Sequence, residues 1–159
     1  MIGPTLAFDK REGGTMETHQ FDDRNIKWRT LPGFDHFSYF ILDVDDKNKS
    51  VDFLLKLAAN QKIALHNHCA DYRTLTLQGE LRLYRANGEL KEVRPIGSYV
   101  STLAGGEPHT EGGGDQEAIV FYSNRNVGKL VYEFLDDKSK IFATLGLAEF
   151  KGLLDGQKQ

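Results

Sequence analysis

Apolar and polar residues alternate along most of this chain in short runs, and turn-forming residues separate the runs. Ile26, Trp28 and Thr30 take alternate positions of Asn25–Leu31, which ends at Pro32-Gly33. Phe37, Tyr39 and Ile41 alternate with Ser38 and Phe40, and the polar turn Asp45-Asp46-Lys47-Asn48 follows. The same reading gives strands at Val51–Leu57, Lys62–His68, Tyr72–Leu77, Glu80–Arg85, Leu90–Arg94, Ser98–Thr102, Ala118–Ser123 and Lys129–Leu135. Gln78-Gly79 and Asn87-Gly88 sit between neighbouring runs as hairpin signals. A period of two with turns every 8–12 residues or so predicts about nine strands, hence an all-β sandwich or barrel. Leu147, Phe150 and Leu154 recur instead at helical spacing, so a short helix is expected over Leu147–Leu154. Met1 to Gln20 is polar, contains Gly13-Gly14, and reads as an N-terminal arm before a single domain over residues 21–159.

Bulk composition narrows the function classes. At 159 residues, one domain with a substantial core is expected. The net charge is −3, and acidic and basic residues are interspersed. Without a Lys/Arg stripe or a polybasic amphipathic helix, no nucleic-acid partner and no membrane surface is expected. No apolar run approaches the roughly 18 residues that a membrane span needs. The segment Met1–Gly14 lacks a basic stretch followed by an apolar one, so no signal peptide is expected. The single cysteine, Cys69, excludes an intrachain disulfide and fits a reducing, cytoplasmic setting.

Candidate chemistry gathers on histidine. The chain has five, and His19 and His36 stand apart from the rest. His66-Asn67-His68 ends a predicted strand, and alternate strand residues face the same way, so both imidazoles point to one side of the sheet. A third, His109, closes the run Gly106-Glu107-Pro108-His109 after a further hairpin. Three imidazoles from distant strands can share one divalent ion and leave coordination positions open, as catalytic metal sites do.

These motifs resemble those of the cupin superfamily over about Gln61 to Leu135. The first cupin motif, HxH followed by a glutamate and then a glycine, is matched by His66-Asn67-His68 and Gly79. The second, PxG followed by histidine, is matched by Gly106 and His109, with Ala104 where the proline stands. At the usual glutamate position this chain has Tyr72, and Asp71, one residue off, faces the opposite side of the strand. The resemblance therefore implies a jelly-roll barrel holding one ion through His66, His68 and His109, without a carboxylate. A neutral ligand set leaves the charge of the ion uncompensated, which favours an anionic, chelating substrate such as an enolate or a carboxylate.

Within the superfamily the chain is similar to the acetylacetone-cleaving dioxygenases. Ile26-Lys27-Trp28, Phe134-Leu135-Asp136-Asp137 and Ala143–Glu149 carry that further likeness. It implies a non-haem Fe(II) dioxygenase that cleaves a C–C bond in a β-dicarbonyl or similar enolisable ketone. Its partners would be a small-molecule substrate and dioxygen, and it would form a homo-oligomer. Zinc and nickel are the other ions an imidazole site accepts. The alternatives are a non-enzymatic zinc-binding sensor, like the cupin part of ChrR-type anti-sigma factors, and a metal-dependent isomerase or lyase. The lyase would call for a carboxylate ligand.

Other residues carry smaller expectations. Tyr72 should share an inward face with Thr74 and Thr76 and is the candidate catalytic residue, through a hydrogen bond to a substrate oxygen; the alternative is a cavity-filling tyrosine. Glu107 is a candidate fourth ligand or orienting partner for a metal-bound histidine, against a plain solvated loop acid. Glu80 and Glu111 have weaker claims. Arg73 should face away from the ion, while Arg82 and Tyr84 could border the cavity mouth. Gly112-Gly113-Gly114 reads as either a flexible lid or a hairpin tip. Cys69 reads as a structural thiol.

Overall fold

The computed structural model describes residues 19–158, so the expected arm lies outside the described residues except for His19 and Gln20. The chain folds as two antiparallel sheets packed face to face. The strands are β1 Phe37–Asp45, β2 Ser50–Leu57, β3 His66–His68, β4 Asp71–Gln78, β5 Leu81–Arg85, β6 Leu90–Arg94, β7 Tyr99–Thr102, β8 His109–Gly113, β9 Ala118–Arg125, β10 Leu130–Leu135 and β11 Ile141–Gly146. One helix, α1, spans Leu147–Gln157. The first sheet has the order β1-β2-β9-β4-β7 and the second β11-β10-β3-β8-β5-β6. Beside the hairpins β1–β2, β5–β6 and β10–β11, strands distant in sequence pair, as β2 with β9 and β3 with β10, in the manner of a jelly roll.

Alternation does the sorting. In β4, Tyr72, Thr74, Thr76 and Gln78 are buried while Asp71, Arg73, Leu75 and Leu77 are half-buried, as the period of two required. In β5, Leu81 and Leu83 point inward. Arg82 and Tyr84 point outward, Arg82 to Glu80 and Tyr84 beneath the ammonium of Lys62, so neither borders a cavity mouth. The core is built from Tyr39, Ile41, Phe53, Leu55, Leu57, Val120, Tyr122, Val131, Tyr132, Phe134 and Phe150. Phe53 lies between the rings of Tyr122 and Phe150, stacked on both at 5.2 and 5.4 Å.

The structure departs from the sequence reading in four places, one of them β8, which takes in glycines expected to form a lid or a hairpin tip. Asn25–Leu31 forms no strand; only Arg29 bridges to Tyr39. Lys62–His68 is a strand only over its last three residues. The strand β11 was not expected, because its exposed Ile141 and Phe142 blur the alternation.

The two sheets are open along both sides, and the sides are finished differently. On one side, β1 and β11 are covered by α1, whose Phe150 is buried. The outer rim of β1 continues its ladder onto irregular partners: Arg29 exchanges backbone hydrogen bonds with Tyr39. Two residues on, the Ile41 N–H donates to Gln157 Oε1 at 2.7 Å, and Gln157 Nε2 donates to the Ile41 carbonyl at 2.9 Å. On the other side, β6 and β7 face each other across a gap roofed by the loop from Leu103 to Glu107.

Candidate metal centre

Register brings the three histidines together. His66 on β3 stands directly opposite His109 on β8, and on its other flank β3 pairs with β10, setting His68 opposite Tyr132. All three imidazoles are buried inside the barrel. Each offers a ring nitrogen, and these nitrogens lie within 4.8 Å of one another. His68 Nε2 and His109 Nε2 are 3.1 Å apart. His66 Nδ1 donates to the Ala64 carbonyl at 2.8 Å, which leaves its Nε2 lone pair aimed at the cluster. That Nε2 is buried and has no hydrogen-bond partner. Buried polar atoms are rarely left so. A divalent ion at the common point would satisfy it, so the residues fit a metal.

Burial keeps the His68 and His109 rings uncharged. His68 is held well below the usual imidazole value, chiefly by burial and then by His66, His109 and Arg94. His109 is lowered to about 3, again by burial first, then by His66, Lys91 and Arg94. Neutral imidazole is the form that ligates. The depressed folded values also set a pH dependence for the metal-free protein. The unfolded chain takes up these protons near pH 6.5, whereas the folded protein refuses them until far lower. Stability is therefore complete above about pH 6.5 and falls as pH drops toward 3, by roughly 1.4 kcal/mol per pH unit for each ring. Urea titrations in the presence of a chelator at pH 7, 6 and 5 are expected to show this slope, and His109→Gln is expected to reduce it. An equal slope in the variant would contradict the assignment.

The carboxylate at the site is Glu111. It follows His109 by two residues on β8 and so shares its face. It is 2% exposed, with Oε1 3.6 Å from His66 Nε2 and Oε2 3.8 Å from His109 Nε2. Burial raises the hydroxyls of Tyr122 and Tyr132 well above the usual phenol value, and the nearby Glu111 is the next cause in both. Glu107 is placed otherwise: its carboxylate meets Lys91 Nζ at 3.1 Å and Arg85 Nε at 3.6 Å on the rim, half in solvent. The three histidines are the group placed to hold an ion, and Glu111 stands beside them as a buried neighbour. The spacing His109-Thr110-Glu111 contained the signal, but the glycines that follow made the segment look like a loop.

Those glycines form neither lid nor tip. Gly112 and Gly113 belong to β8, and the connection from β2 to β3 crosses them in close contact. A Cβ on Gly112 would lie 1.7 Å from the Gln61 carbonyl oxygen, and one on Gly113 2.9 Å from that of Ala58. The crossing is held by the Ile63 N–H donating to the Glu111 carbonyl and the Asn60 N–H to that of Gly114.

Tyr72 lies flat against His68, with ring centroids 3.8 Å apart at 11°. Burial raises its hydroxyl above the usual value, opposed by Arg94 and Thr102 nearby. Asp71 is turned outward and accepts from the Ala104 N–H and Asn126 Nδ2. Arg73, next to it, is likewise off the buried face. Cys69 is half-buried, and burial, with Glu133 adding to it, pushes its thiol up to about 11.

Two cavities adjoin the cluster from opposite sides. One, of about 40 Å³, is walled by Phe37, Tyr39, Phe53, Tyr132, Phe134 and Phe150 and reaches His66 and Glu111. The other, of about 160 Å³, lies in the gap between β6 and β7 and reaches His68 and His109 together with Tyr72, Lys91, Arg94 and Thr102.

No protein-family model and no curated protein matches the chain. Solved structures do. An RmlC-like cupin from Ralstonia eutropha JMP134 is 22% identical over 88% of this chain and 86% of its own, with a TM-score of 0.69. An acetylacetone dioxygenase from Acinetobacter johnsonii is 16% identical over 95% and 99%, with a TM-score of 0.60. The anti-sigma factor ChrR, solved in complex with Rhodobacter sphaeroides SigE, is 22% identical over 64% of this chain and 49% of its own, at 0.51. The fold is therefore the cupin jelly roll, as its motifs implied. Among the described residues no helix is long and apolar enough to cross a membrane.

Proposed function

We propose that this chain is a metal-dependent enzyme, a non-haem Fe(II) dioxygenase that cleaves a C–C bond in a β-dicarbonyl or similar enolisable ketone. The observation that carries the reading is the convergence of His66, His68 and His109 on one point inside the barrel, beside an aromatic cavity. Bound there, Fe(II) would supply Lewis acidity toward the two carbonyl oxygens of the substrate and redox chemistry toward dioxygen.

The chain's own residues have separate tasks. The Ala64 carbonyl fixes the tautomer of His66 through Nδ1, so that Nε2 is free to ligate. Tyr72 braces the His68 ring by stacking and turns its hydroxyl toward the polar cavity, where it can donate to a substrate oxygen. Glu111 places a buried carboxyl group beside the imidazoles of His66 and His109. The aromatic walls around Phe53 and Phe134 exclude water. Leu90, Val93, Ile96, Tyr99 and Leu103 leave an exposed apolar row along the β6–β7 side, which suits a homo-oligomer.

The test is metal analysis of protein purified without oxygen, followed by oxygen-electrode assays across a panel of β-diketones. Iron in the protein together with oxygen uptake is the expected result. Zinc with no uptake would favour the sensor.

A second reading, a metal-dependent lyase or isomerase, gains from one specific observation: a buried carboxylate, Glu111, lies beside the histidines. Under that reading turnover proceeds without oxygen, and Glu111→Gln resaturated with metal loses about 10²- to 10⁴-fold in rate, the usual worth of a positioned proton acceptor. Anaerobic turnover that is unchanged in the variant would remove it.

A further inference from the structure

Arg94 is the one charged side chain of β6 that turns inward, and it is 4% exposed. A buried guanidinium is costly unless anions meet it. Its partners are unevenly placed. Nε and Nη2 donate to the two oxygens of Glu92, which is itself partly in solvent at the rim. The inner Nη1 has only the neutral Thr74 hydroxyl, at 3.0 Å. The second cation of this cavity, Lys91, is likewise tied to a rim carboxylate, Glu107. Both hydrogen-bonded or ion-paired countercharges thus sit on the solvent side. Toward the cluster the walls are Tyr72, Thr102, His68 and His109, and the buried Glu111, which lines the other cavity, acts on Arg94 only through space and accepts no hydrogen bond from it. The opposite side of the barrel is covered by α1, so the gap between β6 and β7 is the way in.

We infer that the substrate carries a carboxylate, or a similarly small anionic group, beside its chelating carbonyls, and that Arg94 binds it through its inward edge while Lys91 guides it in. The inference rests on the reading that the three histidines hold a metal to which the substrate binds. A guanidinium fork matches a carboxylate in shape and charge. A neutral diketone would leave that edge without an anion.

The experiment uses zinc-loaded full-length protein and calorimetric binding, which needs no turnover. The probes are succinylacetone, a β-diketone with a terminal carboxylate, and its counterpart with a methyl group in place of the carboxyl. Succinylacetone is expected to bind roughly tenfold to a hundredfold tighter, the range of a hydrogen bond to a charged group. In Arg94→Gln that preference is expected to vanish while the uncharged diketone keeps its affinity, and Arg94→Lys is expected to restore part of it. Equal affinity of the two probes for the wild-type protein, or a preference that survives in a folded Arg94→Gln, overturns the inference and leaves the metal reading standing. A zinc-loaded protein that binds neither probe overturns both.

Discussion

His109→Ala is expected to lose its metal. Zinc sites built by four protein ligands are worth about 10–16 kcal/mol in apparent binding at neutral pH, so one ligand accounts for roughly 3 kcal/mol, or about two orders of magnitude in affinity. His109 is the ring that joins β8 to the pair on β3, and with it gone only His66 and His68 remain from the cluster. Competition against chelators of graded strength, read by metal analysis, measures the loss, and His19→Ala, at an exposed histidine, is the control. Wild-type affinity in the His109 variant would mean that the rings do not share an ion. Turnover should disappear with the metal, since the substrate then has nothing to chelate.

Gly112→Ala is expected to do the greatest damage to the fold. The added methyl would sit inside the Gln61 carbonyl oxygen, and the obstacle is backbone, which cannot rotate aside. Overpacking of this kind costs about 3 kcal/mol or more. Relief requires β8 to move away from the crossing segment, which would carry Glu111 and His109 out of line with β3. Urea unfolding should show a sharply lower midpoint, and any folded remainder should bind metal weakly. The same substitution at Gly152, on α1 with open space around its Cα, is expected to stabilise by about 0.4–1 kcal/mol. A mild effect at Gly112 would show that the crossing can yield.

The contrast between these two sites marks what could be read in the sequence. The histidines were legible because two of them share a strand and the period of a strand is two; the third followed from the resemblance of its motif. The inward set Tyr72, Thr74 and Thr76 was legible for the same reason. Glu111 obeyed that rule too, yet it was ranked below Glu107, because three glycines suggest freedom when nothing shows what packs against them. In the fold they serve close approach, and the backbone they approach comes from Ala58–Lys62, a contact no local pattern encodes. Arg94 was hidden differently. On an edge strand with exposed neighbours, an arginine reads as a surface charge, and only the gap between two sheets turns it inward. The strand β11 was missed because two of its apolar residues, Ile141 and Phe142, are adjacent and stand in solvent, which breaks the alternation.

The glutamine near the end of α1 has an effect out of proportion to its size. An unpaired strand at the margin of a sheet is a template, and identical molecules can add to it one after another until they form a fibre. Gln157 offers Ile41 one donor and one acceptor, as an incoming strand would, and so occupies the place where growth would begin. Losing the final helical turn would leave the metal ligands untouched and bare the Ile41 N–H and carbonyl on the rim of β1.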